Sequence, residues 1–348
     1  MTANIHETDS NFYTGETPWH GLGFDATAEL AAKGREYATG AEAQKFAGMD
    51  FRLTLNPCLH MDSAGDVHEI KDRFAHVRED RPEIVHGIVS DRFGDDVQPD
   101  LLFGLPDSYV EAGRGGYVTA GTLGGGMKLY SCAQLGSSKV ITQRGVDDII
   151  NNFWVCTFAN GGNGSLEWFR TSVRVVCDNT LRAARIVASE RFKVKHSRVA
   201  REAFDASINE SEIGAIISAF EEPTAQYQEL ADTPLDIATW AKVAREFADH
   251  VGGEVSAQKS EKKRDRLEGI RQAEVAQLVH LFHSGKGNDG VAQWDAFNAG
   301  TEWLDHHRVA YRNAANEAER TSKAIDSILF GDAVSNKEVL VEMLIAAS

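Results

Sequence analysis

The sequence predicts an α+β fold, an antiparallel sheet with packed helices followed by a mainly helical C-terminal region. Three observations carry the prediction. Between Tyr117 and Val176, β-forming segments alternate with Gly- and Asn-rich turns, as hairpins require. Beyond Ser197, nearly every segment has 3.6-residue apolar spacing instead. Finally, 42% of the 348 residues are apolar, enough for a sizeable core.

The first 38 residues read as an irregular segment, with Pro18, Gly21 and Gly23 interrupting regular backbone. Thr39 is placed to cap a helix running to Ala47. From Phe51 to Met61, the alternation of Phe51, Leu53 and Leu55 predicts a half-buried strand, which Pro57 confines to an edge or a bulge. After the turn Ser63 to Asp66, Val67 to Val77 has the mixed polarity of an exposed strand. Glu83 to Arg92 is β-forming, with Ile84, Val85, Ile88 and Val89 between Pro82 and Gly94. Pro99 to Ala112 has helical spacing.

Tyr117 to Leu123 and Met127 to Leu135 form a hairpin across Gly124, Gly125 and Gly126. Asp148 to Ala159 and Trp168 to Val176 form a second, across Asn160 to Gly164. At Asn179 or Thr180 the pattern changes, and either residue can cap a helix through Leu181, Ala184, Ile186 and Val187. FKVKHS, from Phe192, is again extended. Helices are expected over Val199–Ala206, Ser211–Tyr227, Ile237–His250, Arg266–Phe282, Gln293–Asn298, Glu302–Leu329 and Lys337–Ala346. This organisation divides the chain into an N-terminal segment 1–38, an α+β core 39–206 and a helical region 207–348.

Charge is distributed unevenly. Arg170 to Arg201 holds nine Lys or Arg against Asp178 and Glu190, a local +7 in a chain of net −16. The acidity of the whole repels nucleic acid on average, so a polyanion would have to bind on one face. Arg170 and Arg174 alternate onto one strand face, Arg182 and Arg185 lie three apart on the expected helix, and Lys193 and Lys195 alternate in FKVKHS. With Arg198 they predict a basic stripe for a phosphate backbone, beside aromatic residues Trp154, Phe158, Trp168 and Phe169 that could stack on bases. The competing reading is a solvated surface neutralised by the acidic helical half.

Other chemistry has less support. The three glycines at 124–126 lack the GK[ST] ending of a phosphate loop, and GxSxG and HExxH motifs are missing. Cys58, Cys132, Cys156 and Cys177 form no CxxC pair and read as reduced, mostly buried residues. His280 and His283 share a helix face and, with Asp305 and His306, make the best alternative, a metal-dependent hydrolase or nuclease. No apolar run approaches the roughly 18 residues that span a bilayer, and the N-terminus lacks signal-peptide order, so a cytoplasmic protein without membrane contact is expected. No cofactor is expected.

Several stretches resemble a family of bacteriophage and plasmid proteins carried as a domain of unknown function, the phage/plasmid-like proteins. They are PWHGLG from Pro18, GIVSDRF from Gly87, YVTAGTLGGGMKLY from Tyr117, SVRVVCDNTL from Ser172, KVKHS from Lys193 and NAGTEWLDHHR from Asn298. A looser similarity links the element order to Redβ- and RecT-type single-strand annealing proteins, whose core is a curved antiparallel sheet with a packed helix. The resemblance implies a phage-type protein that binds and anneals single-stranded DNA without catalysis, as a homo-oligomer in the bacterial cytoplasm. A third reading is an acidic phage or plasmid protein whose helical region engages a host or phage protein and blocks a host enzyme.

Overall fold

The computed structural model describes residues 8–15, 23–93, 97–161, 164–174, 179–181, 192–195, 214–215, 218, 221–257, 260–308, 319, 323, 325–326, 329 and 333–347. The fold is α+β. An eight-stranded sheet contains β1 (Thr8–Tyr13), β2 (Phe24–Asp25), β6 (Gly116–Leu123), β7 (Lys128–Ile141), β8 (Asp147–Ala159), β9 (Ser165–Arg174), β10 (Asn179–Leu181) and β11 (Phe192–Lys195). Its order is β10-β9-β8-β7-β6-β1-β2, with β11 also on β9, and every pair is antiparallel except β1 with β2.

Both faces of this sheet are covered. Phe12, Leu129, Phe158, Leu166 and Trp168 pack under α1 (Thr27–Ala32), α2 (Gly40–Phe46) and a 3-10 turn (Pro99–Phe103). On the other face Val118, Tyr130, Phe153, Val155 and Phe169 meet Ile325 and Leu329, beside an ion pair between Lys128 and Asp326. Thr39 caps α2 as expected: its Oγ1 accepts from the Glu42 N–H at 3.3 Å, and its own N–H donates to Glu42 at 3.0 Å. Burial pushes the Glu42 carboxyl up, but hydrogen bonds from Lys33, the Thr39 backbone and Arg35 hold it down at about 2.

The segment 1–38 is not irregular throughout, because β1 finds a partner in β6 and α1 buries Leu30. The helix expected over 99–112 is split at Gly104 to Pro106 into the 3-10 turn and α3 (Asp107–Glu111). Pro106 disfavours a helical residue before it.

A second sheet, β3 (Leu53–Met61), β4 (Val67–Arg78) and β5 (Val85–Val89), has the order β3-β4-β5. The register of β3 against β4 shifts between Pro57 and Leu59, as Pro57 foretold, and beyond it the two strands project as an arm without β5. The base of the arm docks on the large sheet by close backbone approach. A Cβ on Gly87 would stand 2.7 Å from the Gly161 Cα, so only glycine fits there. Arg78 stacks on Phe51 at 3.8 Å and forks onto Asp80 at 3.0 and 2.7 Å. His86 Nε2 lies 3.1 Å from the Gly125 carbonyl oxygen.

The helical region contains α4 (Glu221–Asp232), α5 (Ile237–Gly252), α6 (Glu261–Ser284), α7 (Gln293–Glu302) and α8 (Ala333–Ala346). Tyr227, Trp240, Phe247, Phe282, Trp294, Phe297 and Trp303 form its core, which also takes Val140 from β7 and Ile150 from β8. Trp294 Nε1 donates to Asp148 at 2.9 Å, tying α7 to the sheet. Asp236 caps α5, accepting from the Ala238 and Thr239 N–H groups at 2.8 and 2.9 Å. The helix expected from Glu302 to Leu329 breaks instead: a π turn covers Trp303–His307, and Arg308 is extended. The expected helix Val199–Ala206 and the boundary near residue 206 lie outside the described residues. Among the described residues no helix is long and apolar enough to cross a membrane.

Candidate nucleic-acid interface

β9 carries the start of the basic segment and lies near one edge of the large sheet. Its alternation sends Leu166 and Trp168 to one face and Phe169 to the other. Arg170, opposite Trp154, is only 4% exposed. Next to it Ser172 Oγ donates to Asn152 Oδ1 at 2.9 Å, and Asn152 Nδ2 donates to the half-buried Ser138 Oγ at 2.8 Å, a polar row across three strands. Arg174 stands opposite Ile150 on β8 and Asn179 on β10. On the same side of β9, β11 covers the other half: Lys193 is opposite Glu167 and Lys195 opposite Ser165.

Three expectations change. Asn179 and Thr180 pair with Arg174 and Val173 in β10, where the edge of β9 offers hydrogen-bonding groups, so neither caps a helix at that point; the expected helix through Ala184, Ile186 and Val187 lies outside the described residues. The proposed stacking residues Phe158, Trp168 and Phe169 are core side chains, and Trp154 packs partly buried against the same core. The single stripe is also altered. Arg170 is interior, and the register sets Lys193 and Lys195 against odd-numbered positions of β9, whereas Arg170 and Arg174 are even-numbered. Backbone register places Arg174 opposite Asn179 of β10, and Lys193 and Lys195 of β11 opposite Glu167 and Ser165, along the same edge of β9. Arg182, Arg185 and Arg198 lie outside the described residues.

The family model for DUF932, a domain of unknown function, matches residues 85–328, more than half of the chain. The chain belongs to the DUF932 family. No curated protein and no solved structure matches it. The DUF932 match begins at β5, takes in the β6–β9 meander with β10 and β11, and ends beside Leu329. The arm strands β3 and β4 precede it.

Inside the DUF932 region, the stretch from Asn298 to His307 does structural work. Asn298, Thr301, Trp303, Leu304 and Asp305 are buried, and a Cβ on Gly300 would collide with Leu340. The alternative metal set is not assembled. Asp305 accepts from Lys337 Nζ at 2.7 Å in a buried ion pair, whereas His280, His283 and His306 are exposed. Among the described residues no group of three or more His, Cys, Asp or Glu is arranged to hold a metal ion. Sequence reasoning missed Lys337, which pairs across 32 positions and has no local signature. It also missed the network of α5 and α6, where Arg245 forks onto Glu268 at 2.7 and 2.8 Å and Arg271 holds Asp249 at 2.9 Å.

Proposed function

We propose that this chain binds single-stranded DNA along the β9–β10–β11 edge of the large sheet and anneals it without catalysis, as a phage- or plasmid-type recombination protein working in the bacterial cytoplasm. The observation that carries the reading is the position of the +7 segment: two of its three described strands, β10 and β11, sit at the sheet's margin, not between the covered central strands. Arg174, Lys193 and Lys195, with Arg182, Arg185 and Arg198 from the same segment, supply the phosphate contacts. Arg170 belongs to the interior and takes no part.

An edge suits an extended polyanion because cations along it can follow one backbone. Neutralising Z phosphates makes log affinity fall with log salt at a slope of about −0.7Z. The test is a fluorescence titration of labelled single-stranded DNA at low salt, with wild type and a Lys193→Glu, Lys195→Glu double variant. Wild type is expected to bind with a steep salt dependence, and the double variant to bind more weakly with a shallower slope. Absence of wild-type binding at low salt overturns the reading.

A further inference from the structure

Most large apolar side chains left exposed among the described residues gather in two places. The first is the arm. Leu59, Met61 and Val67 are 61%, 71% and 62% exposed, and the register, Leu59 opposite Glu69 and Met61 opposite Val67, puts them on one face. The other face carries the stacked His60 and His68, with His68 on Asp62 at 2.9 Å. The second is the tip of the β7–β8 hairpin, where Ile141, Val146 and Ile149 are 46%, 59% and 40% exposed. Ile141 pairs with Asp147 and Ile149 with Lys139, so both isoleucines share a face, whose reverse, Val140 and Ile150, is buried under the helical region.

The end of the arm is acidic, whereas the tip carries two exposed cations together with the carboxylates of Asp147 and Asp289. Glu69 borders the apolar face of the arm and Asp62 and Asp66 its turn, whereas Lys139 and Arg144 border the hairpin tip. Lys139 and Arg144 now pair with Asp147 and Asp289 at 3.0 and 2.9 Å, but both cations are more than half exposed. Exposed pairs of this kind exchange partners at little cost. The patches also stand apart. The arm is rooted where β5 meets the β8–β9 turn, at Gly87 and Gly161, and the tip closes the opposite ends of β7 and β8.

We infer that the occupant of the arm's apolar face is a second copy of this chain, with Leu59, Met61 and Val67 of one copy docked on the Ile141–Ile149 tip of the next. One chain carries both halves of the contact at separate places. The contact is therefore heterologous, and repeating it gives a ring or an open filament, not a two-fold dimer.

Sedimentation velocity on nucleic-acid-free protein over a concentration series tests this. Wild type is expected to grow past the dimer. Met61→Asp and Ile149→Asp should each be monomeric, with the thermal unfolding of wild type diluted to monomer, because both positions are exposed in the single chain. Their equimolar mixture keeps one intact arm and one intact tip and should give a discrete 1:1 dimer, a doubling of mass. Wild type that stays monomeric up to its solubility limit overturns the inference, as does assembly that Ile149→Asp leaves intact, which would mean arm-to-arm pairing. A mixture that stays monomeric also overturns it. If either aspartate variant unfolds, Met61→Ser and Ile149→Ser take its place with the same expected outcomes. Because no DNA is present, failure here and failure of the DNA-binding reading are separate results.

Discussion

Strand β6 and the β3–β4 arm reverse the usual link between hydrophobicity and burial. β6, GYVTAGTL, is buried at all eight positions although half of them are Gly or Thr. The arm, with Leu59, Met61 and Val67, is open on both faces. What differs is the layer above each strand: β6 has a neighbour on either side and side chains packed over both faces, and the arm has only its own partner strand. Burial here is decided by position in the sheet, and the small residues of β6 are what close packing on two sides demands.

The contrast can be broken or sharpened by substitution. The largest losses should come from the covered regions. Trp168→Ala, which empties core, should cost about 3–5 kcal/mol in denaturant unfolding. Lys337→Met should cost about as much, roughly 3–5 kcal/mol, by removing the ammonium that Asp305 accepts from in the interior, and adding Asp305→Leu should recover most of it. Trp294→Phe, which removes the donor to Asp148, should cost about 1–3 kcal/mol.

A smaller, pH-dependent effect is expected at Glu42. Its carboxyl titrates at about 2 in the folded protein against 4.5 for the free group, so its stabilisation is present above pH 4.5 and lost as pH falls towards 2. The stability gap between wild type and Glu42→Gln should close over that interval in acid titrations followed by circular dichroism. Least of all, Met61→Ser on the arm should change stability by no more than about 0.5 kcal/mol when measured at a dilution where wild type is monomeric. A loss of several kcal/mol in the monomer would show that the arm is covered by its own chain.

Local chemistry made much of this fold legible. Thr39 with Glu42 announced the cap of α2, the glycines at 124–126 announced a hairpin, and Pro57 marked the irregularity of β3. What stayed hidden depends on distant partners. DNTL reads as a helix start until the vacant edge of β9 is there to pair with it. Arg170 looks like surface charge until the layers on the sheet bury it, and Asp305 looks like a ligand until Lys337 arrives from α8. For the candidate site, composition picked out the basic segment, and only the backbone pairing shows that β10 and β11 both lie along β9.

The way β9 is finished has a consequence for the behaviour of the protein at high concentration. A long sheet with a bare flank invites foreign strands and hence fibrous aggregation. Here the flank of β9 is occupied by two short strands, β10 of three residues and β11 of four, and at the far side the sheet ends in the two-residue β2. Among the described residues neither margin of the large sheet offers a long template for backbone hydrogen bonding, so crowding should drive this sheet towards side-chain contacts, and any strand-to-strand growth would have to start at β3, the edge of the smaller sheet.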